Sequence, residues 1–176
     1  MVPHRTRVGS VASQPDVAFL RQVQLFKDVD EPTLQALWPR LRERRLKKGE
    51  VLFRANDRGD ELFLIYSGSI IVSKLVTGRV EQVLRHMGQG EVFGEMSIFG
   101  DEQTRSATIQ AETDTVLLGL HRDNLNQFIE SSPRDAAKFF LEMVRVFSKR
   151  LRDTSDLVAE VTRWGLEATG LDVEHR

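Results

Sequence analysis

Glu95 and Arg105 stand ten residues apart in the stretch GEVFGEMSIFGDEQTRSAT (90–108), and their types suggest one chemistry. Glu95 is a strong acceptor, suited to the hydroxyls of a sugar. Arg105 brings a planar fork of donors, suited to a phosphate. Ser106 adds a hydroxyl beside it. Gly94 would let the backbone approach a ligand closely. A short turn over residues 95–99 would aim free amides at an anion. An acceptor for sugar and a cation for phosphate in one loop imply a nucleotide-like anion. The same residues allow a plainer reading. Glu95 and Arg105 could pair with each other or with solvent, and the glycines could only make turns, since surface ion pairs are common and weak.

Such a loop has to be held by a frame. Between Leu46 and Leu120 the apolar runs VLF, ELFLIY, SIIVSK, EQVLRH, SATIQA and TVLLGL alternate with turn signals, among them Lys48-Gly49, Asn56-Asp57, Gly59-Asp60, Gly68 and Thr77-Gly78. This texture predicts an antiparallel β jelly-roll sandwich. The segment GEVFGEMSIFGDEQ (90–103) is too glycine-punctuated for a strand and reads as a loop carrying a short helix. Helical periodicity flanks the strands, so the fold class is α+β. Residues 17–26 place Val17, Leu20, Val23 and Phe26 at three-residue spacing. A second helix follows, with Asp30 as N-cap, Pro32 in the first turn, and an apolar face of Leu34, Leu37, Trp38 and Leu41.

After His121 the helical period returns over residues 122–129. Ser132 then caps, and Pro133 starts, a helix expected to run to about residue 163 and to stop at Gly165. Along it Val144, Phe147, Leu151, Thr154, Val158 and Val161 step by 3, 4, 3, 4, 3, which is a heptad seam. So long a helix commonly packs on a twin, which predicts a homodimer; the same seam could instead fold back on the barrel. The expected division is a flexible tail at 1–13, a β-roll with flanking helices at 14–132, a dimerisation or lid helix at 133–164 and a tail at 165–176.

Composition narrows the function. The 176 residues, 40% of them hydrophobic, suit one globular domain. No apolar run reaches transmembrane length. The start MVPHRTRVGSVASQPD has basic residues but no apolar stretch behind them, unlike a secretory signal, so a cytoplasmic, membrane-free protein is expected. There is no Cys, which removes disulfides, thiolate metal sites and cysteine nucleophiles. A net charge of −1 lacks the basic excess of a dedicated nucleic-acid binder. The one dense basic run, RLRERRLKK (40–48), reads as a solvated helix face leading into a strand. His4, His86, His121 and His175 are dispersed, against a cupin-like metal enzyme and against a haem sensor. No P-loop or Ser–His–Asp spacing is visible. The expectation is a binding protein with no metal and no catalytic residue.

FGEMSIFGDEQTRSAT (93–108) closely resembles the phosphate-binding cassette of the cyclic-nucleotide-binding domain family, and its ten-residue Glu-to-Arg spacing is similar to that of the bacterial catabolite-activator branch. The resemblance implies that Glu95 holds the ribose 2′-hydroxyl and Arg105 the cyclic phosphate. Ser106 would help, Gly94 and Met96 would give backbone contacts, and Phe93, Ser97 and Ala107 would complete the site. KKGEVLFRANDRGDELFLIYSGSIIV (47–72) resembles the family's first strands, and the likeness covers roughly residues 17–161. RLRDTSDLV (150–158) resembles the central helix of catabolite activators. There Thr154 and Ser155 would reach the adenine amino group, one from each subunit; alternatively Thr154 only sets register in the seam. The base contact would favour cAMP over cGMP, although Ser106 could also help hold a guanine. Only GLEATGLDVEHR follows Trp164, too short and too acidic to enter a DNA groove. The resemblance therefore implies a stand-alone sensor without a helix-turn-helix or other DNA-binding domain, signalling to an unknown downstream partner. Met96, Ile98 and Phe99 are expected to carry the signal from the cassette to the C-terminal helix. The alternative is a ligand-free dimeric scaffold of the same fold.

Overall fold

The computed structural model describes residues 7–10, 15–76, 80–100 and 103–169. Among the described residues, nine strands form two antiparallel sheets. They are β1 (Arg7–Ser10), β2 (Arg42–Leu46), β3 (Val51–Phe53), β4 (Glu61–Ser67), β5 (Ile70–Val76), β6 (Val80–Met87), β7 (Val92–Phe93), β8 (Thr108–Ala111) and β9 (Thr115–His121). One sheet has the order β1-β2-β9-β4-β7 and the other β3-β8-β5-β6. The described residues also form five α-helices: α1 (Val17–Gln22), α2 (Glu31–Leu37), α3 (Met96–Phe99), α4 (Arg122–Ser131) and α5 (Pro133–Thr169). The expected jelly-roll sandwich with flanking helices and a long C-terminal helix is the architecture found.

Within ELFLIY the four residues Leu62 to Ile65 are apolar without a break because β4 is covered on both faces. Successive side chains of a strand point to opposite sides. Phe63 and Ile65 enter the roll, with Leu46, Ile70, Met87, Phe93, Ile109 and Leu117. Leu62 and Leu64 point the other way, with Leu118 and Leu120, and meet Leu20, Phe26, Leu34, Phe128 and Phe139 from the helices. The helices thus close the outer face of the first sheet. Strand β6 has seven exposed residues followed by buried Met87, so the second sheet ends in an open edge.

Several boundaries differ from expectation. The first helix stops at Gln22 because Val23 is extended (ψ 122°), and residues 24–26 form a separate 3-10 turn. The second ends at Leu37, ahead of a 3-10 turn over Trp38–Arg40. Trp38 itself keeps helical dihedrals (φ −51°, ψ −50°), but Pro39 has no N–H with which to continue the α-helical ladder, and Leu41, extended at ψ 148°, is buried from the segment that follows. Asp30 occupies the N-cap position without capping; its carboxylate accepts from Lys138 of α5 instead. The basic run 40–48 contains strand β2 rather than a helix face. Alternate residues of β2 point into the roll, where Arg44 pairs with buried Glu61 at 2.6 Å. Residues 7–10 form β1 on the edge of β2; their backbone satisfies an edge that would otherwise be open. Finally, α5 passes through Gly165 to Thr169. Gly ends a helix when it takes a left-handed conformation, and Gly165 does not have positive φ. A glycine inside a helix costs only about 1 kcal/mol, and Leu166, Glu167 and Ala168 after it are good helix formers.

Candidate functional site

The cassette begins where β7 runs out. Gly94 has φ +81°, and a Cβ there would lie 2.8 Å from Arg105 Nη1. The chain then enters α3, with Ser97 and Ile98 buried and Met96 exposed. Arg105 returns from the far side just before β8. It is 6% exposed, and its guanidinium is held in place from several sides. Nη1 donates to the carbonyls of Glu61 (2.7 Å) and Gly94 (3.1 Å) and to Ser97 Oγ (2.8 Å). The Phe53 ring stacks on it, with Cζ 4.2 Å from the centroid. Gly59 backs it so closely that a Cβ would sit 2.1 Å from Nε. Nε is buried with no hydrogen-bond partner, so the guanidinium retains an unused donor. Burial pulls the pKa of Arg105 down, while Glu61 and Asp60 oppose the shift. An arginine nevertheless stays protonated, so this cation is poorly solvated and incompletely compensated. That condition favours capture of an anion.

Glu95 and Arg105 do not pair with each other. Glu95 is 7% exposed, and its Oε1 accepts from Nη1 of Arg150 on α5 at 2.9 Å. Nη2 of the same arginine bonds the Val92 carbonyl. Both groups face one open cavity of about 770 Å³. Its walls are the cassette, the inner face of the β3-β8-β5-β6 sheet, and α5 through Arg150, Asp153, Thr154, Asp156, Leu157 and Glu160.

Phe93, Gly94, Glu95, Met96, Ser97, Arg105, Ser106, Ala107 and Thr154 all line this cavity. Ser155 does not. It is exposed, one helical step away, with its hydroxyl returned to the Leu151 carbonyl. Thr154 Oγ1 donates in the same manner to the Arg150 carbonyl, which leaves its lone pairs available as acceptors. Arg150 escaped the reading of the sequence, although it lies one turn before Thr154 and therefore on the same helix face. Phe53 and the acidic residues of α5 were missed as well; they carried no signal beyond their helical or strand spacing. His121 proves to be the N-cap of α4, accepting from Asp123 N–H, and His86 lies beside Glu112. Among the described residues no three His, Cys, Asp or Glu side chains gather as a metal site requires. No helix among them is long and apolar enough to cross a membrane.

Residues 43–132 match the pattern of the cyclic nucleotide-binding domain, and the chain belongs to that family. It is 28% identical over 142 residues to a CRP-like cAMP-activated global transcriptional regulator of Mycobacterium tuberculosis, covering 81% of this chain and 61% of the relative. It is 32% identical over 127 residues to a cGMP-dependent protein kinase of Drosophila melanogaster, covering 71% of this chain and 14% of the kinase. The crystal structure of Thermus thermophilus catabolite activator protein superposes with a TM-score of 0.69 at 28% identity, covering 79% of this chain and 63% of that one. The chain thus spans about six-tenths of the length of these two bacterial proteins.

Proposed function

We propose that this chain is a sensor for a cyclic purine mononucleotide, with cAMP as its ligand. The observation that carries this reading is that two buried groups of opposite charge, Glu95 and Arg105, line one cavity without pairing with each other. The exocyclic phosphate oxygens take the unused side of the Arg105 guanidinium, and Ser106 lies beside it. The ribose 2′-hydroxyl donates to Glu95. The base lies between the sheet and α5, with its amino group towards the lone pairs of Thr154.

The exposed seam of α5 supports a homodimer. In a parallel pair, Ser155 of a second copy would approach the base of the first. The signal runs through α5. Ile98 is buried in one cluster with Phe139 and Met143 of that helix, and the Phe99 ring meets Phe140 edge-on at 5.7 Å. These contacts would carry movement of the cassette into the helix, and a downstream protein would read the result.

A second reading, cGMP, rests on the carboxylates of Asp153, Asp156 and Glu160 on the cavity wall. Guanine offers two adjacent donors, N1–H and N2–H₂, where adenine offers one amino group and a ring acceptor. Calorimetric titration with cAMP and with cGMP decides between them. Saturable binding that is tighter for cAMP supports the first reading, and the reverse order supports the second. No heat with either at concentrations far above micromolar sinks both. Sedimentation of the same samples tests the dimer.

A further inference from the structure

Arg122, the first residue of α4, lies outside the cavity yet reaches the cassette. Its backbone N–H donates to the Asp60 carbonyl at 2.8 Å. Its Nη2 donates to the Ser97 carbonyl at 2.7 Å. Helix α3 is a single turn, so the carbonyls at its C-terminal end have no partner within it beyond Met96 O, which Gly100 N–H uses. Arg122 satisfies one of these orphans with a cation, at the helix end where a cation is favoured.

Ser97 is also where Arg105 is fixed. Its hydroxyl donates to the Gly94 carbonyl at 2.9 Å, so its hydrogen is committed and a lone pair is free. Arg105 Nη1 donates into that lone pair at 2.8 Å. Two guanidiniums therefore grip one residue: Arg122 holds its carbonyl and Arg105 holds its hydroxyl. Because Arg122 is the root of α4, which leads directly into α5, the orientation of Arg105 is tied to the C-terminal helices by a polar route separate from the Ile98 and Phe99 contacts.

We infer that Arg122 is a positioning residue for the cyclic phosphate. It fixes α3 through Ser97 O so that Ser97 Oγ and Gly94 O hold Arg105 ready for the ligand. This rests on the reading of the cavity as a cyclic-nucleotide site. Replacing Arg122 with Met keeps the aliphatic stem and removes the donors. Affinity for cAMP and for cGMP should fall together by about tenfold, the worth of one hydrogen bond to a charged group, and Arg122→Lys should restore most of it.

Two readouts separate positioning from general destabilisation. In a double-mutant cycle with Ser97→Ala, the combined loss should be clearly smaller than the product of the single losses, since both act through one residue. Hydrogen exchange without ligand should speed up at the amides of Ile98, Phe99 and Gly100 in Arg122→Met, while the strands of the roll keep their protection. Unchanged nucleotide affinity in Arg122→Met, or independent effects in the cycle, overturns the inference. If the wild-type protein binds neither nucleotide, the proposed function has failed, and exchange at residues 98–100 still decides whether Arg122 holds the cassette: unchanged rates overturn it.

Discussion

The two ends of the cavity are built differently. At the phosphate and ribose end, Arg105 and Glu95 are buried and each has fixed partners. At the base end, Leu84 and Leu157 are 54% and 56% exposed, and Asp156 and Glu160 stand on a stretch of α5 that is exposed at every residue from 151 to 167. Arg105 is held ready by Glu61, Gly94 and Ser97, so an anion bound there would cost little ordering, whereas Glu95 is held by Arg150 of α5. The second end depends on where α5 lies and on what covers it. Under the proposed function, the phosphate common to all cyclic nucleotides would meet the pre-organised side, and the base that distinguishes them would meet the exposed one.

The largest test of this contrast is Arg105→Ala. It should cost about 2–5 kcal/mol in binding, as does loss of one partner from a buried charge pair, and equally for cAMP and cGMP in calorimetry. An unequal loss would break the contrast. Gly59→Ala should come next. Its Cβ would meet Arg105 Nε at 2.1 Å and push the guanidinium off Phe53, weakening both nucleotides by about tenfold or more.

At the open end, Leu157→Ala should cost about 1 kcal/mol, since little of that side chain is covered before the ligand arrives. Thr154→Val should act on the ratio rather than the sum. It keeps the shape and removes the acceptor, so cAMP should weaken by about threefold to tenfold relative to cGMP. A ratio left unchanged would remove Thr154 from base recognition and leave it a seam residue.

The smallest effect concerns the root of α5. Glu142 of α5 has a side chain only 1% exposed, bonded to Gln24, Lys27 and Arg145. Burial alone would push its pKa up, but these three bonds win and hold it below the ordinary 4.5. A depressed carboxyl contributes stability that is complete above its unfolded value and lost as pH falls through the folded one. The melting temperature should therefore decline below about pH 4.5, and less steeply in Glu142→Gln. Identical pH profiles would show that the α5 root is held by packing alone.

How far the sequence could be read follows the same division. The strands were legible because a strand covered on both faces leaves a nearly unbroken apolar run, and the cassette because FGEMSIFGDEQTRSAT resembles that of the cyclic-nucleotide-binding domain family; the residue types alone left a plain ion pair open. Strand β7, two residues long, left no periodicity to find. Strand β1 forms through backbone pairing and carries no apolar alternation. Arg150 was hidden because the spacing between Glu95 and Arg150, 55 residues apart, has no local signature; only folding brings them to 2.9 Å. The long reach of α5 past Gly165 was missed because glycine is a stop only in one backbone conformation, which composition does not reveal.

Under the proposed function, the contact of Arg150 with Glu95 would let α5 act as a lever. Its fulcrum would be the packed stretch around Glu142, about 12 Å from Arg150 along the axis at 1.5 Å per residue. The far end at Thr169 lies about 40 Å from that fulcrum. If the helix turns as a rigid rod, a shift of 1 Å at Arg150, no more than a ribose hydroxyl would impose by taking over Glu95, becomes a sweep of more than 3 Å at the tip. The mechanical advantage is set by helix length alone, so shortening or extending α5 beyond Glu160, the last of its residues on the cavity wall, would retune the output stroke without removing a residue that lines the cavity.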